Sequence, residues 1–147
     1  MLDHVAAGPE RELIGAYVSE LNGCQYCARF HGACAAAQLP DGMAVVEQVR
    51  ADPGTAPVSA KLAALLAIAA AVRNDGRSVT AELVAQARTA GATDLEIHDT
   101  VLIAALFCMF NRYVGGLATV APDDPAAYAA GAQRLILQGY RLPAPEG

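Results

Sequence analysis

Tryptophan is absent, aromatic residues make up only 5% of the 147 positions, and Lys61 is the only lysine. Strands favour branched and aromatic side chains, so this scarcity weighs against a β-sandwich. With 10 basic against 15 acidic residues and a net charge of −5, no basic stripe exists to track phosphates, and nucleic acid is not an expected partner. The start, Met1-Leu2-Asp3-His4, lacks the cationic segment and apolar run of a secretory signal, so a cytoplasmic protein is expected. Long hydrophobic runs are also missing. Val101 to Phe110 and Leu62 to Val72 are about half of the roughly 20 residues a membrane span needs, so they read as core helices with no membrane partner. What the chain does have is alanine, at 33 positions, and 54% hydrophobic residues. That is too apolar for disorder and fits closely approaching helices. The length suits a single domain over residues 1–147.

Punctuation by caps and breakers predicts an all-α fold of about six to seven helices. Pro9 sits where a first turn tolerates it, and Leu13, Ala16, Tyr17 and Leu21 recur at helical spacing until Asn22-Gly23. A second helix runs from Cys24 to Gln38, with Asn22 or Gly23 as its cap, and a short third from Asp41 to Arg50. Ala51 to Pro57 is a loop. Ser59 caps an apolar helix to Arg73, and Asn74-Asp75-Gly76 turns the chain. Thr80 opens a helix to about Ala90 that Gly91 closes. Thr93 and Glu96 have capping-box spacing and open the longest helix, which is expected to end near Val114 before Gly115-Gly116. Asp123 or Asp124 with Pro125 starts the last helix, to Gln138 or Gly139, and the tail from Leu142 is expected to be loose. No segment alternates with period two, and no repeat recurs.

The chemistry lies at the start of the second helix, where Cys24-Gln25-Tyr26-Cys27-Ala28-Arg29-Phe30-His31 spells C-x-x-C-x-x-x-H. At about 100° per residue, Cys24, Cys27, His31 and Cys34 project from one helix face. Helical neighbours three apart hold their Cβ atoms about 5 to 6 Å apart, whereas a disulfide wants about 3.8 Å. A Cys24–Cys27 bond therefore strains the first turn, which suits a cycling disulfide. The helix start and the imidazole are expected to depress a thiol pKa, the former acting most on Cys24. Lowering it from about 8.5 to about 6 gains roughly thirtyfold in thiolate at pH 7 but loses roughly thirteenfold in nucleophilicity, a net factor of about two. His31 is thus worth more as a proton relay. A carboxylate would fix its tautomer, and position alone leaves Glu10, Glu12 and Glu20 open.

The stretch from Arg11-Glu12-Leu13-Ile14 through Asn22-Gly23-Cys24-Gln25-Tyr26-Cys27-Ala28-Arg29-Phe30-His31-Gly32-Ala33 resembles the AhpD-like alkylhydroperoxidase branch of the carboxymuconolactone decarboxylase family. Asn111-Arg112-Tyr113-Val114 resembles the Asn-Arg segment of its peroxidase-related members. The resemblance implies an AhpD-like helical domain with C-x-x-C at the N-terminus of the second helix. It implies that Cys27 attacks a small hydroperoxide substrate, that Cys24 resolves it to a disulfide, and that Glu12 and His31 relay protons. The dipole argument alone favours Cys24 as the better thiolate. Tyr26 stands where well-known members carry a second histidine, and its hydroxyl is a candidate donor to a peroxide oxygen. No bound cofactor is implied. The electron donor would be an external dithiol protein, lipoyl or thioredoxin-like, and the assembly a homotrimer or homohexamer.

Three rivals accompany this reading: a zinc site using Cys24, Cys27, His31 and Glu12, a non-catalytic oligomeric scaffold, and a carboxymuconolactone decarboxylase-like lyase. No second C-x-x-C pair supports zinc, and the paired cysteines argue against the lyase. Cys34 and Cys108 read as small buried hydrophobes, His98 as a solvent or cap histidine, and His4 as part of a mobile terminus. Arg29 reads as a solvated arginine or an anion holder, Asn111 and Arg112 as ties between helices, and Glu10 and Glu20 as surface acids.

Overall fold

The computed structural model describes residues 8–139, so His4 and the tail from Leu142 lie outside the described residues. Among the described residues the chain is all-helical: α1 Pro9–Leu21, α2 Gln25–Ala36, α3 Gly42–Ala51, α4 Ala60–Asn74, α5 Ala81–Thr89, α6 Asp94–Gly116 and α7 Ala126–Gln138, with a 3₁₀ turn at Gly76–Ser78. The predicted caps appear where short-range chemistry dictates them. Ser59, Thr80 and Thr93 accept from the amides of Leu62, Leu83 and Glu96. The Glu96 carboxylate returns to the Thr93 N–H at 2.7 Å and also takes Lys61 Nζ at 2.6 Å. Those contacts, led by Lys61, hold the Glu96 carboxyl down at about 2 and tie the start of α6 to the start of α4.

Helix α1 packs against α2, α3, α4 and α6, and its sequence explains why it can. Leu13, Ile14, Ala16 and Val18 are fully buried, so most of its surface is apolar. At Gly15 the missing side chain is essential: a Cβ there would lie 2.5 Å from Cε2 and 2.9 Å from Cε1 of Phe107 on α6. Around this contact the main core gathers Val46, Val49, Leu62, Leu66, Ile103 and Ala104. A smaller cluster of Leu65, Ile68, Ala87, Ala92 and Ile97 seats α5 against α4 and α6.

The α1–α2 junction is a Schellman close. The Cys24 N–H donates to the Ser19 carbonyl and the Gly23 N–H to the Glu20 carbonyl, both at 2.9 Å, and Gly23 supplies the left-handed φ of +70° that this turn needs. Cys24 is therefore itself the N-cap of α2, and neither Asn22 nor Gly23 has that role. Tight ending of one helix sets the first residue of the next.

Helix α6 departs from expectation at its far end. It runs through Gly115 and Gly116 and closes on Ala118, whose φ of 51° is the described non-glycine exception. Thr119 and Ala118 donate to the Val114 and Gly115 carbonyls at 3.2 and 3.0 Å, the same closure with alanine in the glycine position. Two helical glycines cost less than the packing of the upstream stripe contributes. The left-handed alanine carries strain that glycine would not, so Ala118→Gly is expected to raise unfolding stability by about 0.5–1 kcal/mol, read from urea midpoints. By length and composition α6 is also a helix that could cross a membrane, with 39% of its window buried. Its Val101–Phe110 run is only partly core: Ile103, Ala104 and Phe107 are buried, while Met109 and Phe110 are 52% and 45% exposed. Cys108, expected in the core, is half-buried at its edge.

Candidate active site

The α1–α2 pair carries two close pairs of groups, Cys24 with Cys27 at the start of α2 and Glu12 with His31 between the two helices. All described cysteines are free, and Cys24 and Cys27 approach to 3.2 Å. The spacing expected of two helical residues does not apply, because Cys24 has φ −85° and ψ 89°, outside the helix. A disulfide of about 2.05 Å is then about one ångström of side-chain movement away. Cys24 is half-exposed and Cys27 buried.

Burial is the largest influence on Cys27, followed by the hydrogen bond with Cys24. Together they push its thiol up to about 12 against a lowering contact from Asn111. This overturns the expected depression of a thiol pKa for Cys27: the helix start is present, but loss of water outweighs it. Cys24, the cap residue, makes no capping hydrogen bond through its side chain. Cys34 is likewise pushed up to about 12, by burial first and then by the charge of Glu12.

Of the three glutamates in α1, Glu12 is the one that reaches the imidazole. Its Oε2 lies 2.6 Å from His31 Nδ1, with side-chain exposures of 5% and 14%. The contact commits Nδ1 to Glu12 and leaves Nε2 outside that hydrogen bond. Glu20 instead pairs with Arg50 of α3, whose Nε donates at 2.8 Å. Two rings hold the imidazole edge-on: Phe107 at 4.6 Å between centroids and Phe30 at 5.1 Å. Tyr26 stacks on Phe30 and tilts against Tyr128 of α7, so its ring belongs to an aromatic row on the α7 side of α2.

Several residues stand differently from their sequence reading. Arg29, its side chain 31% exposed, also donates to the Pro122 carbonyl at 2.7 Å and to Asp123 at 2.9 Å, pinning the segment before α7. Arg112 donates within its own helix to the Cys108 carbonyl. His98, by contrast, is exposed as a solvent histidine should be, and touches Asp99 at 3.0 Å. Asn111 does tie helices, bonding Ser19 and Asn22 of the α1 segment, but it also contacts the Cys27 thiol. Ser19 was not singled out by sequence, and Asn22 and Arg73 were noted only as helix boundaries. As for metal, among the described residues no three His, Cys, Asp or Glu side chains are grouped to hold an ion, so Cys24, Cys27, His31 and Glu12 do not form the set that the zinc reading requires.

This helical arrangement defines an AhpD-like fold. Among solved structures it superposes on a peroxidase-related protein from Silicibacter sp. TM1040 with TM-score 0.74 and 27% identity over 86% of this chain. It also superposes on an AhpD-core, peroxidase-related protein from Ralstonia eutropha JMP134 with TM-score 0.72 and 27% identity over 83% of this chain. In fold and motif the chain is similar to these AhpD-like, peroxidase-related proteins. The chain spans 64% and 63% of those two proteins' lengths. No family model and no curated protein sequence matches it.

Proposed function

We propose that the protein is a thiol-dependent hydroperoxide reductase that cycles Cys24 and Cys27 between dithiol and disulfide. The observation that carries this is the pair of reduced thiols 3.2 Å apart, seated on the helix that also brings His31 against Glu12. In the first step the Cys27 sulfur attacks the distal oxygen of a hydroperoxide ROOH. The O–O bond breaks, Cys27 becomes a sulfenic acid, and the thiol proton travels through His31 Nε2 to the leaving oxygen, giving ROH. Cys24 then displaces water from the sulfenic acid to form the disulfide. An external dithiol of the lipoyl or thioredoxin-like class restores both thiols and leaves oxidised.

The division of labour follows exposure. Half-exposed Cys24 is the sulfur a protein donor can reach, and its attack releases buried Cys27. With Cys27 at about 12, only about 10⁻⁵ of it is thiolate at pH 7, so attack needs a base at hand. The Glu12–His31 pair supports that role. The homo-oligomer implied by the resemblance has exposed apolar side chains at hand, since Tyr113 of α6 and Leu117, its C-cap, are 65% and 64% exposed.

Free-thiol titration before and after one equivalent of hydroperoxide, followed by peptide mapping, tests the cycle. Two thiols should be lost and a Cys24–Cys27 crosslink recovered. An unchanged thiol count overturns the proposal.

A further inference from the structure

An amide side chain has a donor end and an acceptor end, and only its neighbours decide which way it lies. Here the decision begins with an arginine, which has donors and no acceptor. Arg73, on α4, donates from Nε to Asn22 Oδ1 at 2.9 Å and from Nη2 to the Leu21 carbonyl at 2.6 Å. With its oxygen committed, Asn22 must present Nδ2 to α6, where it donates to Asn111 Oδ1 at 2.9 Å and reaches Cys108 Sγ at 3.5 Å. Asn111, its own oxygen taken, turns Nδ2 inward. That nitrogen donates to Ser19 Oγ at 3.0 Å, and its second hydrogen is available to Cys27, whose thiol pKa Asn111 lowers by hydrogen bonding. Ser19, Asn111 and Cys27 are 0%, 6% and 4% exposed, so water is not at hand to re-satisfy a flipped amide.

We propose that Arg73 is a positioning residue for Cys27: acting through Asn22, it locks the Asn111 amide with its N–H toward the sulfur. A cation on α4 thereby orients a neutral donor on α6 against a thiol on α2. A donor facing sulfur favours the thiolate, opposing burial and the Cys24 contact. The titratable groups around Cys27 on its own helix are Cys24 and His31. Glu12 of α1 stands behind His31, α6 contributes neutral Asn111, and the charge of α4 arrives through the relay.

The inference rests on Cys27 being the attacking thiol, yet its test needs no peroxide. In a C24S background, the pH dependence of iodoacetamide alkylation is read on the peptide carrying Cys27. N22D keeps an acceptor for Arg73, and so keeps the α1–α4 link, but sets a carboxylate against Asn111 Oδ1 and forces the amide to turn. Its Cys27 should alkylate about three- to fourfold more slowly at each pH below the thiol pKa, the net of a roughly tenfold loss of thiolate for an upward shift of about one unit and a partial gain in nucleophilicity, with the thermal midpoint little changed. R73M should slow alkylation in the same direction and R73K should restore most of it.

The decisive comparison places N22D in an N111L background. Transmission through the amide predicts no further slowing there, whereas a direct effect of the new charge persists. Persistence, or unchanged alkylation in N22D itself, overturns the relay. Should N111L fail to fold, the R73M and R73K pair decides, since equal profiles in both overturn it too. A chain that consumes no hydroperoxide but shows these shifts retains the relay and loses the proposed function, so the two failures are distinguishable.

Discussion

Replacing His31 with asparagine is expected to slow hydroperoxide oxidation of Cys27 by about 10²–10⁴-fold at neutral pH, the range general acid–base catalysis contributes. Stopped-flow consumption of peroxide under single-turnover conditions reads it directly. Asparagine is chosen because its amide can still donate to Glu12 Oε2, now 2.6 Å from His31 Nδ1, so the buried carboxylate keeps a partner and the fold is retained. The pH profile separates relay from mere packing. Burial holds Cys27 at about 12, above its ordinary 9.0, so raising the pH creates the thiolate that the relay otherwise generates during attack. H31N should therefore recover about tenfold in rate per pH unit up to about 12, while the unmodified protein changes less steeply. Glu12→Gln keeps a hydrogen-bond partner for Nδ1 and removes the charge behind it. A smaller loss is expected, still about tenfold or more. Equal rates and equal slopes in H31N and the unmodified protein would remove His31 from the chemistry.

The sequence showed whatever is encoded within one or two turns. Ser59, Thr80 and the Thr93–Glu96 box are local hydrogen bonds, and Cys27 and His31 share a face of α2 because helix periodicity sets them one turn apart, with Cys24 at the cap before them. Choosing Glu12 over Glu10 and Glu20 lay beyond spacing, since it depends on how α1 rolls against α2. The resemblance supplied that choice. The Asn22–Asn111–Ser19 network joins positions 89 and 92 residues apart, and no local pattern encodes it. One signal was available all the same. Asn111 continues the buried stripe Thr100, Ile103, Ala104, Phe107 of α6, and a polar side chain on an apolar stripe needs buried partners. Cys24 as a cap, and the elevated Cys27 thiol, depend on a junction and a desolvation that sequence spacing does not contain.

Removing the Phe107 side chain is expected to cost about 3–5 kcal/mol of unfolding stability, a large share of the roughly 5–15 kcal/mol typical of a domain. The ring is 8% exposed and joins two things at once: the Gly15 surface of α1, where its atoms occupy the space a Cβ would take, and the edge-on contact with His31 at 4.6 Å. Gly15→Ala attacks the same contact from the other side. A methyl group there meets an aromatic ring that cannot bend, so ring or helix must shift, at about 1–3 kcal/mol. Shifting the ring also unseats one wall of the imidazole. Urea unfolding of G15A, F107L and the double variant separates the two contributions. F107L trades a flat ring for a smaller, flexible side chain and opens room at α1, so the added methyl should cost much less in the double variant than alone, a coupling of about 0.5–3 kcal/mol. Strictly additive losses would show that Gly15 and Phe107 do not constrain one another. In that case the close approach of α1 and α6 would not be what holds His31 in place beside Glu12.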